Sequence, residues 1–179
     1  MEWLSKWIEE ITPTVHQIAC IDPAQIPFSQ EEVDACEKNY CGRYGKTWTC
    51  PPGVGHYEER RALCLSYKQA VVFTTTYPLE DSFDIEGMHR ANELHEQVTD
   101  RVIASLPEAA KGNYLAFSAH GCHICEKCTY PDAPCRFPDR ARVSVEANGI
   151  YVVGLAQTCG INYHNGTNTV TYFSMLLLR

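Results

Sequence analysis

Four cysteines, Cys122, Cys125, Cys128 and Cys135, fall within fourteen residues at the spacing C-x2-C-x2-C-x6-C. Three thiolates two residues apart can curl around one inorganic centre. A fourth, after a loop stiffened by Pro131 and Pro134, can close it. A second group, Cys36, Cys41 and Cys50, lies in a stretch punctuated by Gly42, Gly45, Gly53 and Gly55, with Pro51 directly after Cys50. Glycine lets a backbone approach a centre closely and aim N–H groups at its sulfurs. Trp48 and Tyr44 are placed to shield it from water. Seven of the ten cysteines thus sit in two tight groups, which fits metal binding better than scattered core thiols.

These motifs need a framework. The chain has 179 residues, enough for one domain with its own core, and residues 1–179 are read as a single iron–sulfur-binding domain. Net charge is −7 and no Lys/Arg block occurs, which argues against nonspecific nucleic-acid binding. The apolar runs are too short to span a bilayer, and residues 1–7 lack the apolar stretch of a signal peptide. The expected location is the cytoplasm, where disulfides are disfavoured and ten cysteines need another use.

Trp3, Leu4, Trp7, Ile8 and Ile11 recur at helical spacing, so residues 1–11 read as an amphipathic helix packed on the domain. Residues 12–30 read as irregular. Ser29 opens a short helix through Cys36. Residues 57–66 form another helix, with Cys64 inward. Residues 69–77 are a strand, and Asp84 caps a helix to about Leu106 whose inner face is Ile85, Met88, Ala91, Leu94, Val98, Val102 and Ile103. Residues 113–119 are a second strand, so a β-α-β unit delivers Cys122 at a strand's C-terminal end, a favoured place for sites. Residues 144–158 read as a helix interrupted at Gly149 and Gly154, and residues 169–178 as a final buried strand. The fold class is α/β or α+β, a small sheet of about three to five strands flanked by helices, with two cysteine-rich loops at one end.

The C-x2-C-x2-C run resembles that of bacterial ferredoxins, but its last gap is x6 followed by Arg136, where the ferredoxin run has x3 and Cys-Pro. The fourth Cys can therefore close the same centre. Zinc sites more often pair C-x2-C units at a distance or mix in histidine, so a third Cys at the same interval favours a cubane cluster.

The wider pattern is Cys36, Cys41, Tyr44-Gly45, Trp48, Cys50-Pro51-Pro52, then Cys122-x2-Cys125-x2-Cys128-Thr-Tyr-Pro, then Pro134-Cys135-Arg136-x-Pro138. It ends with Ser144-x-Glu146-Ala147-x-Gly149-Ile150 and Asn168-Thr-Val-Thr-Tyr-Phe. From about Cys36 to the C-terminus this resembles the DUF2284 family of predicted metal-binding proteins. The resemblance implies small cytoplasmic proteins, mainly of anaerobic bacteria and archaea, whose cysteine motifs are taken to carry iron–sulfur clusters. It supplies no reaction.

The expected function is electron transfer in anaerobic redox metabolism, through one or two 4Fe-4S clusters and with a redox partner protein. The expected ligands are Cys122, Cys125, Cys128 and Cys135 for one centre and Cys36, Cys41 and Cys50 for the other. Cys159, in an exposed helix-end loop, is the favoured fourth thiol; Cys20 and Cys64 are also candidates, though both read as core thiols. His123 is expected beside the first cluster through a hydrogen bond or solvent contact. Arg136 is expected to stabilise its reduced form, or else to pair with Asp132, Asp139 or Glu146. Glu146 reads as a cap or a partner for Arg140 or Arg142. Tyr163, His164 and Asn165 form a polar loop. Other readings stay open: an enzyme whose three-Cys cluster has an open iron for sulfur transfer, desulfuration or hydration; a zinc-bound structural or interaction module; and a cluster-delivery protein. Oligomeric state, a homodimer included, is open. No P-loop, G-x-G-x-x-G or G-x-S-x-G occurs, which leaves nucleotide and serine-hydrolase chemistry without support.

Overall fold

A computed structural model describes residues 2–179. Five helices and five strands follow in the order α1 (Glu2–Ile11), β1 (Gln17–Ile21), α2 (Gln30–Glu37), α3 (Tyr57–Leu65), β2 (Gln69–Pro78), α4 (Ile85–Ala104), β3 (Tyr114–Ser118), β4 (Val143–Ser144), α5 (Val152–Cys159) and β5 (Thr169–Leu178). The class is α+β. The sheet order is β1-β2-β5-β3-β4, antiparallel except for β3 with β4. The expected β2-α4-β3 crossover is present, and β5 lies between its two strands, which makes it a split β-α-β unit. Among the described residues no helix is long and apolar enough to cross a membrane.

The central strands β2 and β5 are apolar on both sides because helices cover both faces. Ala70, Val72, Phe173, Met175 and Leu177 face α5 and the segment through Ile150. Val71, Phe73, Leu176 and Leu178 face Trp7 and Ile11 of α1 and Val98 and Val102 of α4. Each large side chain buried here contributes about 1.5–3 kcal/mol. Asp84 caps α4 as expected, its Oδ1 accepting from Gly87 N at 2.7 Å. Ser29 caps α2, its Oγ accepting from Glu31 N at 3.2 Å.

Three expectations need correction. Residues 12–30 are not irregular throughout, because β1 pairs along the edge of β2 from Gln17–Thr74 to Ile21–Ala70. An edge strand with only Ile21 buried leaves little alternation to read. Residues 144–158 are not one broken helix: β4 leads to a 3-10 turn at Glu146–Asn148, and α5 starts only at Val152. Gly149 ends that turn at a left-handed φ of 72° and so separates the two pieces. The inner face of α4 is rotated. Ile85 is 65% exposed and Leu94 47%, while Asn92, His95 and Thr99 are buried. Hydroxyls on β2 and β5 receive His95 and Thr99, which apolar periodicity cannot signal.

Candidate metal centre

The C-terminal end of α2 presents Cys36. The loop of residues 38–56 carries Cys41 and Cys50, and the loop of residues 119–142 carries Cys122, Cys125, Cys128 and Cys135 on the way from β3 to β4. Hydrogen bonds tie the two loops together. Cys122 N donates to Thr49 Oγ1 at 3.1 Å, and Trp48 Nε1 donates to Ala133 O at 3.0 Å. Arg43 donates to Cys122 O at 3.1 Å and to Nδ1 of His123 at 2.7 Å. Trp48 also meets Tyr130 edge-on, with ring centres 4.9 Å apart. The backbone also comes close at Gly121, where a Cβ would stand 2.9 Å from Cys50 Sγ. Only glycine fits there without a shift.

Cys122, Cys125, Cys128 and Cys135 line one cavity, walled by Trp48, Ile124 and Phe137. Burial pushes the Cys122 thiol up, and Cys135, Cys125 and Cys128 push it further, while the Ile124 N–H works against them. Thiols that resist ionisation together are relieved by a cationic centre, which explains what such a group is suited to hold. Arg136 lines the same cavity and donates to Lys127 O at 2.9 Å. Among the described residues it forms no ion pair with Asp132, Asp139 or Glu146. His123 is exposed and held by Arg43, with His120 edge-on at 6.4 Å.

The second group is built differently. Burial pushes Cys36 up to about 11, and Cys41, Cys50, Glu146 and Glu32 add to that in turn. Cys50 is raised by burial, against the hydroxyls of Thr47 and Thr49 and the Arg43 charge. The three thiols therefore lie within electrostatic reach of one another, with the carboxylates of Glu146 and Glu32 near Cys36 and the Arg43 cation near Cys50. Cys159 is not brought to them. It ends α5 beside Cys20, and burial followed by the Cys20 charge raises it to about 11. Cys20 is exposed on β1 rather than in the core, and Cys64 is fully buried, pushed up to about 11 by burial. Glu146 pairs with neither Arg140 nor Arg142. It sits against Ser144 and near Cys36, pushed up to about 7 by burial.

Cys41 also shares a cleft of about 510 Å³ with Cys122, Cys125 and Cys128. Soft thiolates in groups of four and three fit an iron–sulfur cluster or zinc better than a hard cation. Among the described residues no three Cys, His, Asp or Glu side chains are drawn tightly enough to hold a single metal ion.

Behind the first group lies a feature the sequence did not reveal. A cavity of about 740 Å³ is lined by Cys122, His120, Glu96, Asp100 and Arg142 among others. Arg142 pairs with Glu96 at 2.5 Å and Asp100 at 2.6 Å. Glu96 in turn accepts from the Ser118 hydroxyl. Ser118 contacts Ser174, which bonds His95 Nε2 at 2.8 Å, and His95 Nδ1 meets Thr75 Oγ1 at 2.8 Å. The available signal was Ser174, a lone hydroxyl in the run Phe173-Ser174-Met175-Leu176-Leu177-Leu178. The Tyr163–Asn165 loop serves the fold instead: Tyr163 stacks on Phe173 at 5.8 Å, and Asn165 donates to Thr171 at 2.9 Å.

The model of a family described as predicted metal-binding proteins, DUF2284, matches residues 19–178, nearly the whole chain. No curated protein and no solved structure matches it.

Proposed function

Because the chain belongs to the DUF2284 family of predicted metal-binding proteins, we propose that it is an iron–sulfur electron-transfer protein with one or two 4Fe-4S clusters. It works in anaerobic redox metabolism with a redox partner protein. The observation that carries this reading is the shared cleft, whose walls bear Cys41 from one group and Cys122, Cys125 and Cys128 from the other. Cys122, Cys125, Cys128 and Cys135 would hold the first cluster, and Cys36, Cys41 and Cys50 the second. A cubane cluster, when bound, takes up and returns one electron at a potential set by burial and hydrogen bonds. The chain supplies those: Trp48, Ile124 and Phe137 limit water at the first group, and Arg136 brings a cation to it. Arg43 fixes the Cys122 backbone and His123 together.

A second reading, an enzyme with a three-thiolate centre, is favoured by one observation. The charges acting on Cys36 come from Cys41, Cys50, Glu146 and Glu32, with no fourth thiol among them. On that reading Cys36, Cys41 and Cys50 would hold the centre and Glu146 would be the carboxylate near it. The discriminating variant is Glu146→Gln, which alters the spectrum of the second centre if the carboxylate touches it.

The first test is iron, zinc and acid-labile sulfide content of protein purified without oxygen, with EPR before and after dithionite. About eight irons and eight sulfides support two cubanes. About four support one. Zinc without sulfide overturns the redox reading in favour of a structural module.

A further inference from the structure

The charges of this chain are not evenly spread. Its net charge is −7, with 15 basic and 22 acidic residues. Yet the two cysteine loops, residues 38–56 and 119–142, hold seven of the basic residues and only three of the acidic ones. The fold brings these loops together at one end, so that end carries an excess of cations on an otherwise strongly acidic molecule, even with Glu37 of α2 reaching it through the Tyr44 hydroxyl at 3.3 Å. Lys38, Lys46, Lys127, Arg136 and Arg140 are all exposed there. Of the seven, Arg142 alone is committed to carboxylates, Glu96 and Asp100. Lys46 and Lys127 stand on the walls of the cleft that carries Cys41 and Cys122.

The same face is apolar between its cations. Tyr40, next to Cys41, is 89% exposed, and Phe137, two residues after Cys135, is 39% exposed. A shallow depression of about 530 Å³ beside Cys135 is walled by Trp48, Pro131, Pro134, Pro138 and Val143. An apolar centre with a charged rim is the anatomy of a transient protein interface. Complementary charge raises the encounter rate and sets orientation more than it raises affinity. That suits a contact that must form, exchange an electron and part.

We infer that this face is the docking surface for an acidic one-electron carrier protein, its lysines steering the carrier onto the mouth of the shared thiol cleft. The inference rests on the electron-transfer reading above. The exchange it serves is balanced: the carrier gives up one electron as the thiolate-held centre takes it, or the reverse, and no bond is made or broken. A rival role for these cations is to offset the negative charge of thiolates and cluster. The two roles differ in what charge reversal does.

The test uses the anaerobically purified protein with two probes, a small acidic ferredoxin and a basic c-type cytochrome, and measures binding by calorimetry across a salt series. Docking predicts binding of the ferredoxin alone, weakening by about tenfold or more as salt screens the contact. The Lys38→Glu, Lys46→Glu, Lys127→Glu triple variant is expected to lose about tenfold or more in affinity with its iron and sulfide content unchanged. Lys68→Glu, at the opposite end of the sheet beside Leu178, is expected to bind as the parent does. Salt-independent binding, equal binding of both probes, or a triple variant that binds normally overturns the inference. So does a variant that loses iron while keeping its affinity, because the cations then serve the thiolates. Iron and sulfide counted on the same samples keep the outcomes apart. Clusters without salt-dependent docking sink only this inference, whereas docking without iron or sulfide sinks the electron-transfer reading and with it the one-electron carrier as occupant, leaving an acidic-protein surface of another use.

Discussion

Cys122, Cys125, Cys128 and Cys135 come from one loop and line one cavity, whereas Cys36 hangs from the end of α2 and Cys41 and Cys50 follow in the next loop. The first group is complete in its own segment. The second has three thiols, and the fold adds Glu146 from beyond β4 rather than Cys159, Cys64 or Cys20. What stands behind them differs too. The first backs onto the network of Glu96, Arg142, Ser118, Ser174 and His95, while the second has the part-buried carboxylates of Glu146 and Glu32 near Cys36. Both groups are local in sequence, so what separates them is the fourth member: the first has a thiol for it in its own loop, and the second depends on the fold to bring Glu146 near Cys36.

The sharpest way to break this comparison is to remove one thiol from each group. On the proposed two-cluster reading, Cys125→Ser is expected to abolish the first centre and leave about half of the iron and sulfide, and Cys41→Ser the converse half. Iron and sulfide assays read the result. If either variant loses everything, the two groups hold one joint centre through their shared cleft, and the contrast drawn above is wrong.

Gly121→Ala tests the seam. Its Cβ would lie 2.9 Å from Cys50 Sγ, so the substitution forces the loops apart. The expected cost is about 1–3 kcal/mol in urea unfolding, with the EPR signals of both centres disturbed together. A stable variant with only one signal changed would show that the loops move independently.

His95 gives a pH signature to the network behind the first group. Burial lowers it from the ordinary 6.5 to about 4. Below about 6.5 the unfolded chain takes up a proton that the folded one refuses until about 4, so stability is full above that window and falls as pH drops through it. The slope reaches about 1.4 kcal/mol per pH unit. His95→Gln, which keeps a hydrogen-bonding side chain, is expected to flatten it. Urea midpoints measured at several pH values across the window decide; an unchanged slope would assign the acid sensitivity to other groups.

These outcomes also mark how far the chain could be read unaided. Cysteine spacing named both thiol groups, because ligands close in sequence are constrained by the local chain. The strands 69–77 and 169–178 were legible because each is a long β-branched or apolar run bounded by turn residues. β1 was not, since an edge strand of Gln17-Ile18-Ala19-Cys20-Ile21 with only Ile21 buried carries no alternation to pattern it. The α4 face was misjudged for a related reason. Leu94 and His95 are neighbours, and hydropathy alone turns the leucine inward, whereas the hydroxyls of Thr75 and Ser174 make the histidine the better core residue. Glu146 could not be placed beside Cys36 without knowing that the turn after β4 packs on α2.

The smallest expected effect asks whether that network is a chain or a set of separate pairs. Arg142 bonds two carboxylates, but they are unlike: the Asp100 side chain is 67% exposed and that of Glu96 26%. An exposed ion pair contributes about 0–1 kcal/mol, so Asp100→Asn is expected to cost less than about 1 kcal/mol and to lose that in high salt. Glu96 also accepts from Ser118, so Glu96→Gln is expected to cost about 1–3 kcal/mol by leaving half-buried donors unpaired. A double-mutant cycle of Glu96→Gln with Ser174→Ala tests the link directly. A coupling energy of about 0.5 kcal/mol or more makes the network one unit reaching from His95 to the cavity at Cys122. Additive effects would reduce it to local pairs, and the first thiol group would then rest on its own loop alone.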